Sequence, residues 1–162
     1  MVGVKSVLID GEPVYMFNSA IYIFDSASER TLEVDMIVSE ITLKKYKDRE
    51  SLIAEIELED SRVINSFMFL KSIPGKLPRL NLSCGLDEGD SYEGVLTVSE
   101  NDLEFPDIEV GLTLEDIRKV EMPTEKITLK LTLPIDQVEW LKSQKNRDVQ
   151  RVISELLYQH MK

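Results

Sequence analysis

The sequence has only one cysteine, Cys84, and only one histidine, His160. A single cysteine excludes an internal disulfide framework and is compatible with a reducing compartment. Nucleophilic catalysis needs a base beside the nucleophile, most often histidine, and His160 lies near the C-terminus on an expected helix. A zinc site needs three or four Cys, His or carboxylate ligands. We therefore predict no catalytic residues, no metal site, no cofactor and no enzymatic activity.

Long apolar runs are absent too. No stretch approaches the ~18 apolar residues that a membrane-spanning helix requires. The first residues, MVGVKSVLIDGEP, contain neither a long apolar segment nor the small-residue cleavage site of a signal peptide. We therefore expect a cytoplasmic protein without a membrane span.

Charge is strongly one-sided. The chain has 19 Lys and Arg against 30 Asp and Glu, a formal net charge of −11. Residues 123–162 hold 7 basic and 5 acidic side chains, which leaves −13 for residues 1–122. Such a field repels nucleic acid and anionic membranes at long range, so contact with phosphate requires a local basic patch.

Apolar and polar side chains alternate through most of the first 133 residues, as in half-buried β-strands. Polar turns separate these runs without intervening ten-residue helices, which favours antiparallel pairing. The predicted strands are residues 32–38, 52–59, 61–71, 80–84, 94–98, 103–105, 108–114 and 127–133. We predict an α+β fold, a mostly antiparallel β-sheet or barrel with one C-terminal amphipathic helix packed on it.

That helix is predicted over residues 148–161. Its apolar residues recur at the spacing of one helix face: Val149, Val152, Ile153, Leu156 and Leu157. Residues 135–144 fit either a short helix or a last strand. The change in charge separates an acidic β-rich part, residues 1–122, from a strand-plus-helix segment, residues 123–162. This segment either closes the sheet, with Trp140 and the apolar stripe in the core, or forms an appended module.

Two stretches do not match a known ligand-binding motif. The acidic segment 85–94, GLDEGDSYEG, lacks EF-hand spacing, because the sixth position counted from Asp87 is Tyr92 instead of glycine. The Gly75-Lys76 pair has no glycine five residues earlier, as a phosphate-binding P-loop would require. The first segment is therefore expected to be a solvated turn, and the second an ordinary loop.

Basic residues in the acidic part of the chain concentrate in two predicted loops. A sheet that brought these loops together would form an anion-binding patch. Its members would be Lys44, Lys45, Lys47, Arg49, Lys71, Lys76 and Arg79. The alternative, which we favour, is that these cations decorate turns and strand edges and prevent edge pairing.

The C-terminal half contains, in order, YEGVLTVSENDLEF, GLTLEDIRKVEM, ITLKLTL, VEWLKSQ and RDVQRVISELLYQHM. In this order, residues 92–161 resemble the second half of a pleckstrin-homology/GRAM-like domain: a β-hairpin, a strand and turn, two last strands and a closing helix. The N-terminal LIDGEPVYM is similar to the opening of such domains. The resemblance implies a sheet-based recognition module.

A second resemblance covers residues 125–161. The segment begins EKITLKLTLPIDQVEWLKSQKNRDVQRVISELL, a short strand ending near Pro134, a V-x-W-L segment, a polar turn and an apolar helix face. It resembles a ribbon-helix-helix unit. This implies a homodimer in which the strand pairs with its twin.

The ribbon-helix-helix resemblance also implies DNA contacts. The outward side chains of the paired strands would be Thr128, Lys130 and Thr132, lying in the major groove. Backbone amides near Asp148 and Val149, at the start of the second helix, would face a phosphate.

We predict a non-enzymatic intracellular binding or regulatory protein that recognises a protein partner through its β-sheet and can form a homodimer; nucleic acid is then not a partner. The alternative is a dimeric ribbon-helix-helix-type DNA-binding transcriptional regulator that reads DNA through residues 125–161. The pairing of residues 127–133 discriminates the two. Pairing with residues 108–114 in one sheet indicates the recognition module, and pairing with the same segment of a second copy indicates the DNA reader.

Overall fold

A computed structural model describes residues 1–102 and 104–162 of the chain. It confirms the predicted α+β class, with a mostly antiparallel sheet and a helix at the C-terminus. The strands are β1 (Val4–Ile9), β2 (Glu12–Val14), β3 (Asn18–Asp25), β4 (Arg30–Ile37), β5 (Ser51–Leu58), β6 (Val63–Ser72), β7 (Arg79–Gly85) and β8 (Leu96–Ser99). The helices are α1 (Glu40–Tyr46), α2 (Leu114–Val120), α3 (Ile135–Ser143) and α4 (Asn146–Met161).

The chain divides into two compact units, Met1–Thr124 and Glu125–Lys162. We refer to them as the body and the tail. The boundary between them lies two residues after the change in charge that the sequence shows at residue 122.

All eight strands form one sheet in the body, in the order β2-β1-β5-β6-β7-β4-β3-β8. Neighbouring strands pair antiparallel except β3 and β8, which are parallel. The predicted strands 32–38, 52–59, 61–71 and 80–84 are confirmed as β4, β5, β6 and β7. Period-two alternation located them because one side of each of these strands is buried.

The sheet buries one face against itself. Strand β1 contacts β3 although four strands separate them in the sheet, so the sheet curls and its inner face closes around a core. Among the fully buried side chains of this core are Leu32, Val34, Met36, Ala54, Ile56, Met68, Leu80 and Leu82. Tyr46 at the end of α1 joins the same cluster.

A smaller cluster covers part of the outer face of the sheet. Ile37, at the end of β4, packs with Leu77, Ile108 and Ile117, and the last of these lies on α2. Because these residues are buried, α2 is held to the body by its own apolar side chain. No buried residue follows Ile117 in the described chain, so the core of the body is complete before the tail begins.

Two short helices lie where the sequence predicted a loop and a strand. Helix α1 contains Lys44 and Lys45, which were expected in a loop, and it begins where Ser39 Oγ accepts a hydrogen bond from the Thr42 amide at 3.1 Å. Helix α2 begins with a capping box between Thr113 and Asp116. The strand predicted at 108–114 is wrong, because this segment turns at Gly111 and then caps a helix.

The expected hairpin after residue 94 is not observed. Its first strand corresponds to β8, which pairs parallel with β3 instead of antiparallel with the next segment of the chain. The predicted strand 103–105 begins at Leu103, which lies outside the described residues, and residues 104–108 form no strand. Phe105 instead packs on the outer face of β3, with its ring 6.0 Å from the rings of Tyr22 and Phe24.

The tail consists of a segment without regular secondary structure and two helices. Residues 127–133 form no strand and no ladder hydrogen bonds within the described chain, so the strand predicted there is not observed in the single chain. The ambiguous segment 135–144 is helical, as α3, and two residues separate it from α4. Within the described part of the chain, no helix is both long and apolar enough to cross a membrane.

We predict that the Leu82→Ala variant loses roughly 2–5 kcal/mol of unfolding free energy, because it opens a cavity in a closed core. The matched control is Ile53→Ala, which removes an aliphatic side chain that is 61% exposed on the other face of the sheet and should change stability little. Urea denaturation followed by circular dichroism measures both. Equal losses in the two variants would contradict the assignment of the inner and outer faces.

Candidate functional site

The segment that precedes the tail helices carries exposed apolar side chains. Ile127, Leu129 and Leu131 alternate in its sequence and are 75%, 68% and 67% exposed. Thr128, Lys130 and Thr132 occupy the alternate positions and are also exposed. Large apolar side chains left exposed close together in a chain are typical of a surface that a partner covers.

The two tail helices are equally unburied. Neither α3 nor α4 has a buried residue in the single chain. Large apolar side chains at least 43% exposed on these helices are Ile135, Trp140, Ile153, Leu156, Leu157, Tyr158 and Met161. Trp140 and the stripe of α4, expected in the core if this segment closed the sheet, are therefore not core residues of the single chain.

The length of the tail makes this exposure significant. Units shorter than about 40 residues usually need disulfides, metals or oligomerisation to be stable. The tail spans Glu125–Lys162 and contains no cysteine. The described residues of the chain offer no group of three or more His, Cys, Asp or Glu side chains suited to a metal ion. The described part of the tail thus contains neither of the covalent or metal cross-links that stabilise many units of this length.

The start of α4 has no side-chain cap. Its N-cap residue, Lys145, makes no side-chain capping hydrogen bond. The amides of Asp148 and Val149, which the ribbon-helix-helix resemblance names, donate to the Lys145 carbonyl at 3.0 and 3.1 Å and are therefore not free. Arg147 lies in the same turn as Asp148, so the helix start carries charges of both signs.

The predicted anion-binding patch spans four settings in the body. Lys44 and Lys45 lie on α1, and Lys47 is its C-cap residue, followed by Arg49. The remaining members are Lys71 in β6, Lys76 between β6 and β7, and Arg79 at the start of β7.

Carboxylates already occupy three of these seven cations. Lys45 forms an ion pair with Glu12, and Arg49 Nη1 lies 2.9 Å from Asp10 Oδ2. The hydrogen bond from Lys45 lowers the pKa of Glu12 and raises that of Lys45. The third pair joins Arg79 to Asp35. Among the described residues, Lys44, Lys47, Lys71 and Lys76 have no ion pair.

A buried polar cluster lies on the outer face of β3, β4 and β7. Asp35, 1% exposed, accepts hydrogen bonds from Arg79 Nη2 at 2.7 Å, Asn81 Nδ2 at 2.7 Å and Tyr22 Oη at 3.2 Å. Asn81 Nδ2 also donates to Glu33 Oε2 at 2.8 Å. The sequence placed both acids on one side of a strand but contained no signal for Arg79 and Asn81, which are 44 to 48 residues away from them.

Burial in this cluster changes the ionisation of Tyr22. Desolvation, with the nearby carboxylate of Asp35 as the next cause, raises the pKa of Tyr22 far above its usual value. Tyr22 therefore keeps its proton and acts as a hydrogen-bond donor. The buried atoms Arg79 Nε and Asn81 Oδ1 have no hydrogen-bond partner in the described part of the chain.

His160 and Cys84 are the residues of this chain that most often carry catalysis, and neither lies in an environment that favours it. His160 is exposed near the end of α4. Cys84 is partly buried on the inner face of β7, and burial raises the pKa of its thiol, which disfavours the reactive thiolate.

A third surface was not predicted from the sequence. Ile53, Phe67 and Phe69 lie side by side on the outer face of β5 and β6, and we refer to them as the outer patch. They are 61%, 58% and 59% exposed, and the two phenyl rings meet edge to face with their centroids 5.8 Å apart. The period-two pattern predicts that these side chains face outward, but it does not predict that nothing covers them.

The chain matches no protein-family model, no curated protein and no solved structure.

We predict that Asp35→Ala destabilises the body by roughly 2–4 kcal/mol, because it leaves Arg79 and Asn81 without their buried acceptor while Arg79 keeps some access to water. The control is Glu57→Ala, which removes the exposed ion pair with Lys5 and should leave stability nearly unchanged. Chemical denaturation at neutral pH compares them. A loss no greater than that of the control would show that the cluster does not stabilise the fold.

Proposed function

We propose that the protein is a dimeric DNA-binding regulator of ribbon-helix-helix type, and that the tail is both its dimerisation and its DNA-binding unit. The observation that carries this proposal is the tail itself, an unpaired alternating segment followed by two helices without a buried residue. A second copy of the same segment supplies both the missing strand partner and the missing apolar surface.

Antiparallel pairing of residues 127–133 with their twin forms a two-stranded ribbon. Lys130 is the central residue of this segment, so a two-fold axis near it pairs the two strands over their full length. One face of the ribbon then holds Ile127, Leu129 and Leu131 from both chains, against the apolar sides of α3 and α4. The isologous contact buries residues that are exposed in the single chain.

The other face of the ribbon is polar. It presents Thr128, Lys130 and Thr132 from each chain. The major groove of DNA is wide enough to admit a two-stranded β-ribbon, so these side chains would reach the base edges. Lysine donates to the O6 and N7 acceptors of guanine, and threonine contacts thymine through its methyl group or a base edge through its hydroxyl. The backbone amides of Asn146 and Arg147, which precede those bonded to Lys145, would face a phosphate on either side.

Electrostatics favour contact through the tail alone. The tail holds 7 basic and 5 acidic side chains, whereas the body has a net charge of −13. The body repels the phosphate backbone, so non-specific binding is weakened and close contacts at the tail must overcome that repulsion. This arrangement favours selective sites over general DNA coating.

We predict that in dilute solution Leu129→Asp converts the dimer to a monomer without unfolding the body. It places two charges in the centre of the apolar side of the ribbon, while the closed core of the body contains no tail residue. Sedimentation velocity measures the mass and circular dichroism measures the fold. The matched control, Val110→Asp, changes an equally exposed aliphatic residue of the body and should leave the mass unchanged.

A monomeric wild-type chain would contradict the tail dimer. A dimer of the Leu129→Asp variant that is as tight as the wild-type dimer would contradict it too.

We further predict that the triple variant T128A/K130A/T132A stays dimeric but loses sequence-selective DNA binding. Selection from a pool of short duplexes with randomised centres should enrich two-fold symmetric sequences with the wild-type chain. Gel-shift titration of the enriched duplex should show a loss of about tenfold or more for the variant, since each good base contact contributes ~1–3 kcal/mol.

The control for this experiment is Lys119→Ala, an exposed lysine of the body whose removal should not weaken the shift. If the wild-type chain enriches no sequence at low salt, or if the triple variant binds as tightly as wild type, the proposed DNA contact is wrong.

The outer patch favours a second candidate function, recognition of a protein through the β-sheet. Three large apolar side chains, adjacent on one face and each more than half exposed, form a surface of the kind that protein contacts cover. This function is compatible with the first, because the patch belongs to the body and the DNA contacts belong to the tail.

A further inference from the structure

The outer patch has a central apolar part and charged ends. Along β6 the outward residues are Asn65, Phe67, Phe69 and Lys71, and Glu55 of β5 is paired with Asn65. Asn65, which is paired with Glu55, lies three residues before Met68 along β6, and Lys71 lies three residues after Met68. At ~3.3 Å per residue, the two charges lie about 10 Å from the centre in opposite directions.

Both terminal charges lack a partner within the described chain. Neither Glu55 nor Lys71 forms an ion pair there, although Glu57 next to the patch is paired with Lys5 at 2.9 Å. Across β7 at the level of Lys71, Asp35 accepts a hydrogen bond from Asn81, the residue paired with Lys71. The two ends of the patch therefore carry opposite and unmatched charges.

Such a pattern is complementary to itself. When two copies face each other across a two-fold axis that lies perpendicular to β6 near Met68, the strands run in opposite directions. The phenyl rings then meet in the centre, and Lys71 of each copy lies opposite Glu55 of the other. We propose that the outer patch is an isologous contact between the bodies of two copies of this chain, closed by two reciprocal Glu55–Lys71 ion pairs.

The size of the patch indicates that this contact is weak by itself. Two strands by six residues cover a footprint of roughly 200 Å², against the ~800 Å² per partner of a standard stable interface. The contact is therefore expected to be readily reversible. Two bodies already joined by another contact meet at millimolar effective concentration, which favours its closure.

The inference rests on the second candidate function, because it names the partner that the patch recognises as a second copy. It is independent of DNA binding, since no tail residue takes part. An apolar segment of an unrelated protein is the other occupant that the patch could accept, and it would not require the reciprocal charges.

The test uses the full chain carrying Leu129→Asp, so that association through the tail is removed. Sedimentation equilibrium should show a reversible monomer–dimer equilibrium in this chain, lost when Phe67→Ser and Phe69→Ser are added. In the same chain, E55K or K71E alone should weaken the dimer about tenfold or more through like charges, and E55K/K71E together should restore it to within about threefold. Lys119→Glu is the matched control, and it should have no effect.

A second measurement detects the contact in the unmodified protein. Isotope-labelled and unlabelled wild-type chains are mixed and treated with a zero-length carbodiimide cross-linker. An adduct between Glu55 of one chain and Lys71 of the other is expected, because about 20 Å separates these residues within one chain.

The outcomes separate the two proposals. If the Leu129→Asp chain is monomeric at every concentration and no Glu55–Lys71 adduct forms between wild-type chains, the body contact is overturned while the tail dimer stands. If the wild-type chain and the Leu129→Asp chain form dimers of equal strength, and both dimers require Phe67, the tail dimer fails and the body contact stands. A dimer whose strength is not restored by the double charge reversal overturns the reciprocal pairing.

Discussion

The closure of the inner face of the sheet is the constraint on which the rest of the protein depends. An eight-stranded sheet with apolar residues on one side must cover that side, and here it curls until β1 meets β3 and the inner side chains pack on one another. The body consequently needs no large helix to close its core, and its last buried residue is Ile117. The tail begins at Glu125, after that residue.

Because the core of the body is complete, the apolar side chains of the tail need another explanation. An amphipathic C-terminal helix after an alternating strand ordinarily closes a sheet, and its apolar stripe then belongs to the core. In this chain the stripe of α4 is exposed, as is the apolar row of residues 127–133. Exposed apolar surface on both elements of a short unit is a reason to propose a partner, and self-pairing satisfies strand and helices together.

Charge separates the two surfaces that we propose for binding. The body is strongly acidic, and three of its clustered cations are occupied by carboxylates, which leaves little capacity to attract a large polyanion. Of the two units, only the tail has a positive balance of charge. Apolar contact at the outer patch and polar contact at the ribbon therefore address different partners, and one does not compete with the other.

The sequence alone determined the features that depend on local alternation and on composition. Strands β4 to β7 and the α+β class were predicted because one buried side leaves a period in the chain. The charge difference and the apolar stripe of α4 were predicted because composition and residue spacing state them directly. The segment 108–114 was misassigned since its alternation belongs to a turn and a capped helix whose apolar residues pack on the sheet. Only the tertiary structure decided the register that brings Arg79 and Asn81 to Asp35, the exposure of Phe67 and Phe69, and the lack of a partner for residues 127–133. These are relations between residues distant in the chain, and side-chain periodicity states which way a residue faces without stating which residue, if any, it meets there.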